Sequence, residues 1–225
     1  MCNYYEQSLN ELQFYFSSAD KKPTKGTGEK YVADFQGREF LSNFKDWRKV
    51  LSNFYVTENP LPFTVNDAGD VYHFKTVEHI YQSMKYFVNG YTSIGMKFTL
   101  ESSDPIGQGV GLDARKGRKL IVLSEKELNK WFSKSKNVMT RALEIKFSTD
   151  RISKLVLDDT FPCQLFHTIP RSPREHWVNL EIIRNKKIFE DVINLTSEKE
   201  GISIKEAREL IEKKIPTINK IAGWN

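Results

Sequence analysis

The chain has 225 residues, 39% of them hydrophobic and 28% charged, which places it among globular rather than disordered chains and is enough for one sizeable core but not two ordinary domains. Its 34 Lys+Arg against 29 Asp+Glu leave a formal charge of +5, an excess compatible with a phosphorylated or nucleic-acid substrate without demanding one. Two cysteines, Cys2 and Cys163, exclude a disulfide framework and a CxxC metal pair, and there is neither an apolar run of membrane-spanning length nor a secretory leader pattern, so a cytoplasmic protein without membrane partners is expected.

In chain order, residues 10–17 alternate loosely and carry aromatics, which predicts a strand; residues 18–38, rich in Lys, Gly and Pro, predict a surface loop. LSNF occurs at 41–44 and again at 51–54, too few copies for a repeat architecture, and the second leads into NPLPF, where Pro60 and Pro62 favour an extended path. Residues 63–75 predict a β-hairpin turning at Asn66–Asp70. Thr76 is a suitable N-cap for a helix running to about Asn89, with Gly90 at its C-cap. A short helix or loop over 92–100 precedes the glycine-rich stretch SSDPIGQGVGLDARKGRK, which lacks both the GxGxxG spacing and a following GK[ST], so a nucleotide-binding fingerprint and a redox dinucleotide are not indicated. Residues 125–148 predict the longest helix, with Leu128, Trp131, Phe132, Val138, Met139, Ala142, Leu143 and Ile145 on its apolar face. Further helices are predicted over 150–157, over 178–195 with Leu180, Ile183, Ile188 and Val192 packing, and over Ile204–Ile215, behind a capping-box pattern at Ser203–Glu206. A strand or extended edge is expected over 161–170, and a basic loop at PRSPREHW.

The stretch TVEHIYQSMKYF (76–87) draws attention first. Glu78, Gln82 and Lys85 stand at i, i+4 and i+7 and share one helical face, beside an apolar stripe of Val77, Tyr81, Met84 and Phe87 or Val88. Buried charge is costly unless paired or used, so a carboxylate, an amide and an amine converging from a buried helix mark a candidate site. On a random helix a purely structural Glu–Lys network is the commoner outcome. His79 lies one residue off this face and suits a hydrogen-bonded structural role, and His73 a hairpin surface. Arg115 and Arg118 suit phosphate or pyrophosphate, or a solvated basic turn. Asn53 can brace a sharp turn or meet a base edge. Trp131 by default packs in the core. Arg171 and Arg174 can reach phosphate from the late loop. No His or Cys spacing indicates a metal.

Taken together, LSNFY (51–55) with PF (62–63), the hairpin, TVEHIYQSMKYF, ARKGRK (114–119) and Trp131 followed eight residues later by Met139 in VMTRALEIKFS resemble the NADAR family from about residue 12 to 195. WRKVLSNF with the late HTIPR…HW…LEIIR resembles its large-virus and phage branch. The resemblance implies an α+β, predominantly helical fold: one NADAR-like N-glycosidase domain over 12–195 with a small sheet and hairpin, an N-terminal extension over 1–11 and a C-terminal helical tail over 196–225.

It also implies hydrolysis of the N-glycosidic bond of a ribosylated base without cofactor or metal. The expected substrate is ADP-ribosylated guanine in DNA or RNA; the alternatives are a ribosylamino-pyrimidine phosphate of the riboflavin pathway, or ADP-ribose or nucleotide binding without turnover. On this likeness Glu78 and Lys85 are the catalytic candidates, with Asn53, Phe54, Gln82, Arg115, Arg118, Trp131, Arg171 and Trp177 binding substrate. A carboxylate below C1 stabilises developing positive charge or deprotonates water. Lys85 can offset charge on the departing base or form a Schiff base with an opened sugar, and Gln82 can hold ribose hydroxyls. The chain departs from the family pattern near its end: many members place an Asp shortly before a Trp-Gly, whereas here the segment reads IPRSPREHWVNL, leaving Glu175 or His167 as stand-ins.

Overall fold

The alternating stretch near the N-terminus forms strand β1 (Glu11–Tyr15), whose Leu12 and Phe14 are fully buried. It appears in a computed structural model that describes residues 11–15, 41, 44, 47–168 and 172–214. The predicted 18–38 loop, the first LSNF copy at Asn43, and Arg171 lie outside these residues. β1 pairs in parallel with β4 (Gln164–Thr168), and β4 pairs antiparallel with the two-residue β5 (Glu175–His176). The segment expected as a strand or an edge is therefore the central strand of a β1-β4-β5 sheet.

The predicted hairpin is present as β2 (Leu61–Thr64) and β3 (Val71–Phe74), in antiparallel register from Leu61 opposite Phe74 to Thr64 opposite Val71. Asn66 closes the turn: its amide nitrogen donates to Asp70 Oδ2 at 2.8 Å, while its carbonyl oxygen accepts from the Asp70 N–H at 3.0 Å. Gly69, with φ at 89°, takes the left-handed position that a side chain would resist.

Helices account for most of the remainder: α1 (Trp47–Leu51), α2 (Val77–Phe87), α3 (Thr92–Met96), α4 (Pro105–Gln108), α5 (Gly111–Lys116) with a 3₁₀ turn at Gly117–Lys119, α6 (Glu125–Thr149), α7 (Arg151–Asp159), α8 (Val178–Glu200) and α9 (Ile204–Lys214). The fold is α+β and mostly helical. No helix among the described residues is long and apolar enough to cross a membrane.

The caps follow the expected chemistry. Thr76 caps α2 by accepting from the His79 N–H. That helix stops at Phe87, short of the predicted end, and Gly90 follows in the left-handed region. Ser124 and Glu127 form a reciprocal box at the start of α6, and Ser203 and Glu206 do the same before α9. Asp150 ends α6 and caps α7 by accepting from the Ser153 N–H at 2.9 Å.

The main core gathers β1, the hairpin, α2, α6 and the start of α8, while Phe189, Ile193, Ala207 and Ile211 form a second cluster that joins α8 to α9. Two assignments of side chains to the core need correction. Phe132 is 62% exposed, because it falls on the outer side of α6 from Trp131, Val138 and Ala142. On α8, Val192 is exposed, and Phe189 and Ile193 take the buried positions. The buried guanidinium of Arg184 ties α8 to the turn before β4, donating to the carbonyls of Thr160 and Cys163 and to the Thr160 hydroxyl.

These placements separate two neighbouring aromatics. Trp131→Ala should cost about 3–5 kcal/mol, while Phe132→Ser should stay within about 0.5 kcal/mol of the parent. Urea denaturation of the two variants checks this, and equal losses would contradict the packing described.

Candidate active site

Eight of the eleven residues of α2 are buried, among them the polar Glu78, His79, Gln82 and Ser83. Polar atoms so placed must find partners. Gln82 Nε2 donates to Glu78 Oε1 at 2.8 Å across one turn. His79 bonds Thr76 Oγ1 at 2.8 Å and the Ile106 carbonyl at 3.0 Å, and Ser83 donates to the Gly95 carbonyl at 2.8 Å. Burial holds the His79 imidazole down at about 4, so it is neutral at pH 7. Its role is to fasten α4 to α2, the structural role expected for it. His73 is exposed on the hairpin and pairs with Glu101.

Glu78 is only 8% exposed, and burial raises its carboxyl above the usual glutamate range; the Gln82 hydrogen bond and the charges of Arg115 and Arg118 pull in the opposite direction. Lys85 shares the predicted face but does not join the pair. Its Nζ donates to the Arg118 carbonyl at 2.9 Å, and burial, helped by the Arg118 charge, lowers its pKa. The Tyr86 hydroxyl bonds the Gly117 carbonyl at 2.9 Å. Together these two bonds hold the ARKGRK turn against α2 and bring Arg118 toward Glu78.

The second LSNF copy supplies another wall. The Glu78 N–H, one of the unpaired donors of the first helical turn, bonds the Asn53 carbonyl at 3.0 Å. Phe54 is buried under the Arg115 guanidinium, which lies 5.9 Å from its ring centre. α5 reaches this ring because residue 111 is glycine: a Cβ there would stand 2.7 Å from the Phe54 Cα. The Asn53 side chain donates to Met139 Sδ at 3.5 Å, a weak acceptor, and its Oδ1 is buried with no hydrogen-bond partner among the described residues.

A cavity of about 460 Å³ opens alongside, between α2 and α6 on one side and the β5–α8 junction on the other. Tyr81, Ser135, Lys136, Met139, His176 and Trp177 are in its wall. Among the described residues, Trp177 of the predicted substrate-binding set lines it, together with the stand-in Glu175. Trp131, 3% exposed, stands behind Tyr81, with which it makes an edge contact at 4.9 Å. Behind Trp177 lies His167, 4.6 Å away and also against Phe14. Burial, with the Arg115 charge, brings His167 down to about 4, and its Nδ1 is buried without a partner among the described residues. Glu175 is exposed at the cavity rim, and Arg174 is engaged with Glu11 on β1 and stacked over Phe166.

Glu78, Gln82, Asn53, Phe54, Arg115 and Arg118 are thus brought together, Lys85 borders them, and Trp177 and Trp131 stand at and behind the cavity wall. Sequence reading placed Tyr81 only in the apolar stripe. It is half-buried, feels the Glu78 charge and shares the cavity; its position one turn after Glu78 was the available signal. Lys146 gave no signal, since lysines normally face water. It is fully buried and donates to the Val50 carbonyl and, at 2.7 Å, to the Ser52 carbonyl.

A scan against protein-family models finds no match, and a search of curated proteins finds none. Among solved structures the chain is similar to the E. coli protein YbiA, determined by NMR. The alignment covers 81% of this chain and 87% of that one, with 19% identity and a TM-score of 0.45.

Burial depresses Lys146 to about 7 from 10.5, with the Asp150 charge opposing the shift. Between these values the unfolded chain binds the proton and the folded chain does not, so the group's contribution to stability is least favourable below about pH 7 and improves as pH rises toward 10.5. The stability difference between parent and Lys146→Met should therefore shift in favour of the parent from pH 7 to pH 10; a pH-independent difference in chemical denaturation would contradict this.

Proposed function

We propose that the protein is an N-glycosidase that hydrolyses the bond between C1 of a ribosyl group and a base nitrogen. The observation that carries this reading is the buried Glu78–Gln82 pair, with the charges of Arg115 and Arg118 acting on it, next to a cavity walled by Tyr81 and Trp177. Breaking the C1–N bond moves positive charge onto the sugar and negative charge onto the base. A carboxylate held out of water interacts strongly with the former. Glu78 is assigned to stabilise C1 and to accept the proton of the attacking water, whose oxygen ends on C1; a proton then passes to the departing base. Gln82 fixes the carboxylate's orientation. Arg115 and Arg118 suit the phosphates of an ADP-ribosyl group, and Tyr81 and Trp177 offer aromatic surface to a base. Lys85, held at the Arg118 carbonyl, adds positive charge near the leaving group.

The substrate we favour is an ADP-ribosylated guanine in DNA or RNA. The formal charge of +5 and the two arginine charges acting on Glu78 suit a polyanionic substrate. Incubation with guanine-ADP-ribosylated oligonucleotide should release free ADP-ribose faster than a ribosylamino-pyrimidine phosphate is cleaved. The reverse order would support the metabolite. Calorimetric ADP-ribose binding with turnover of neither would leave a binding protein.

Glu78→Gln keeps the shape and removes the charge. It should lower kcat by roughly 10²–10³, or about 3–4 kcal/mol, while substrate binding changes much less, because charge at C1 develops only in the transition state. Single-turnover rates beside melting curves check this; a fully active, well-folded variant would end the mechanism.

Because burial raises the Glu78 carboxyl above 4.5, the acid limb of kcat/KM should have its midpoint above that value, activity falling as pH drops through it. A limb at or below the ordinary value, in the pH-rate profile, would remove Glu78 as the ionised group.

A further inference from the structure

We infer that Lys146 is a positioning residue for this site: by holding the Val50 and Ser52 carbonyls from the neighbouring helix, its side chain sets where Asn53, Phe54 and the first turn of α2 stand relative to substrate. The inference rests on the reaction taking place at Glu78.

The two carbonyls lie at and just beyond the C-terminal end of α1, where a positive charge is favoured; the Ser52 carbonyl also accepts the Tyr55 N–H at 3.2 Å. One residue further, the Asn53 carbonyl receives the Glu78 N–H. Residues 50–53 therefore join the end of one helix to the start of another, and Lys146 fastens that joint to α6. The same joint sets Phe54, whose N–H bonds the Ser52 hydroxyl at 3.1 Å and on whose backbone α5 rests through Gly111. A displacement at Ser52 is passed to Glu78 in one direction and to Arg115 in the other.

Stability alone does not explain a lysine here. An apolar side chain of similar volume avoids the cost of dehydrating an ammonium and is often neutral or stabilising in such places. What an apolar residue lacks is the set of N–H donors that both carbonyls use. The surroundings suit a fixed ammonium. The Tyr55 and Phe147 ring centres lie 5.4 Å and 4.9 Å from Nζ. Asp150, one turn on in the chain, acts on it electrostatically and is itself fixed by the Glu58 and Ser153 N–H groups. Tyr55, whose hydroxyl is raised by burial and by the charges of Asp150 and Glu58, is a further titratable group beside it. Loss of the Lys146 proton leaves an amine that still has two N–H donors, so the brace survives a change of pH but not removal of the nitrogen.

Lys146→Met tests this. The variant should still unfold cooperatively. The Phe54 and Glu78 amides should exchange with deuterium at least roughly 10-fold faster than in the parent, while amides in α8 and α9 are unchanged. kcat on the ribosylated-base substrate should fall about 10- to 100-fold, as expected when reacting groups are misplaced by a fraction of an ångström to an ångström. Unchanged protection at both amides, or parent kcat, overturns the inference. If Lys146→Met does not fold, the parent decides: the ¹⁵Nζ resonance of Lys146 should move on saturation with ADP-ribose, and a stationary resonance while the Asn53 and Glu78 amides shift overturns it. A parent that neither binds ADP-ribose nor cleaves substrate removes the proposed function instead, and the exchange comparison in Lys146→Met does not depend on that result.

Discussion

A helix buried on nearly all sides must find partners for every polar group it carries, and α2 is such a helix. Its partners organise the surrounding chain. His79 reaches α4, Ser83 reaches α3, Tyr86 and Lys85 reach the 3₁₀ turn, and the Glu78 amide reaches Asn53. Short peripheral segments are thereby docked by hydrogen bonds made in a low-dielectric setting, where leaving a group unpaired is costly. The apolar stripe of α2 meets α6, so one helix serves as core element on one side and as polar anchor on the other.

This arrangement explains why the candidate site lies where it does. The segments gathered by α2 bring Asn53 and Phe54 from the joint after α1, Arg115 from α5 and Arg118 from the 3₁₀ turn to the face that holds Glu78. The polar groups left without partners among the described residues include Asn53 Oδ1 and His167 Nδ1, one bordering Glu78 and the other backing the cavity wall. Buried polar atoms that the fold leaves unpaired are expected where a ligand or a functional constraint takes precedence over stability.

The electrostatics follow from the same burial. Low dielectric raises Glu78 and lowers Lys85, while the two arginines keep the Glu78 shift in check. His79 and His167 are both neutral at pH 7 for want of water, so neither adds to the positive charge around the carboxylate. The sheet β1-β4-β5 sits behind Trp177 and fixes the far wall: the Trp177 N–H donates to the Leu165 carbonyl at 2.8 Å.

Local chemistry made much of the chain legible from sequence. The Asn66–Asp70 turn, the Thr76 cap, the Ser124 and Ser203 capping boxes and the helical periodicity of α2 and α6 each depend on residues close together in the chain. The i, i+4 relation of Glu78 and Gln82 belongs to the same class, and their hydrogen bond follows from helix geometry. Tertiary packing decided the rest. Lys85 obeys the same periodicity, yet it turns to Arg118 because the 3₁₀ turn offers a carbonyl that the sequence could not place. Phe132 is apolar and exposed, and Lys146 is charged and buried, because α6 meets α2 and α1 along a line that no local pattern specifies. Spacing along the chain determines which side chains share a face; which face is taken out of water, and which backbone carbonyls await it there, depends on contacts between segments 33 residues apart for Lys85 and 96 apart for Lys146.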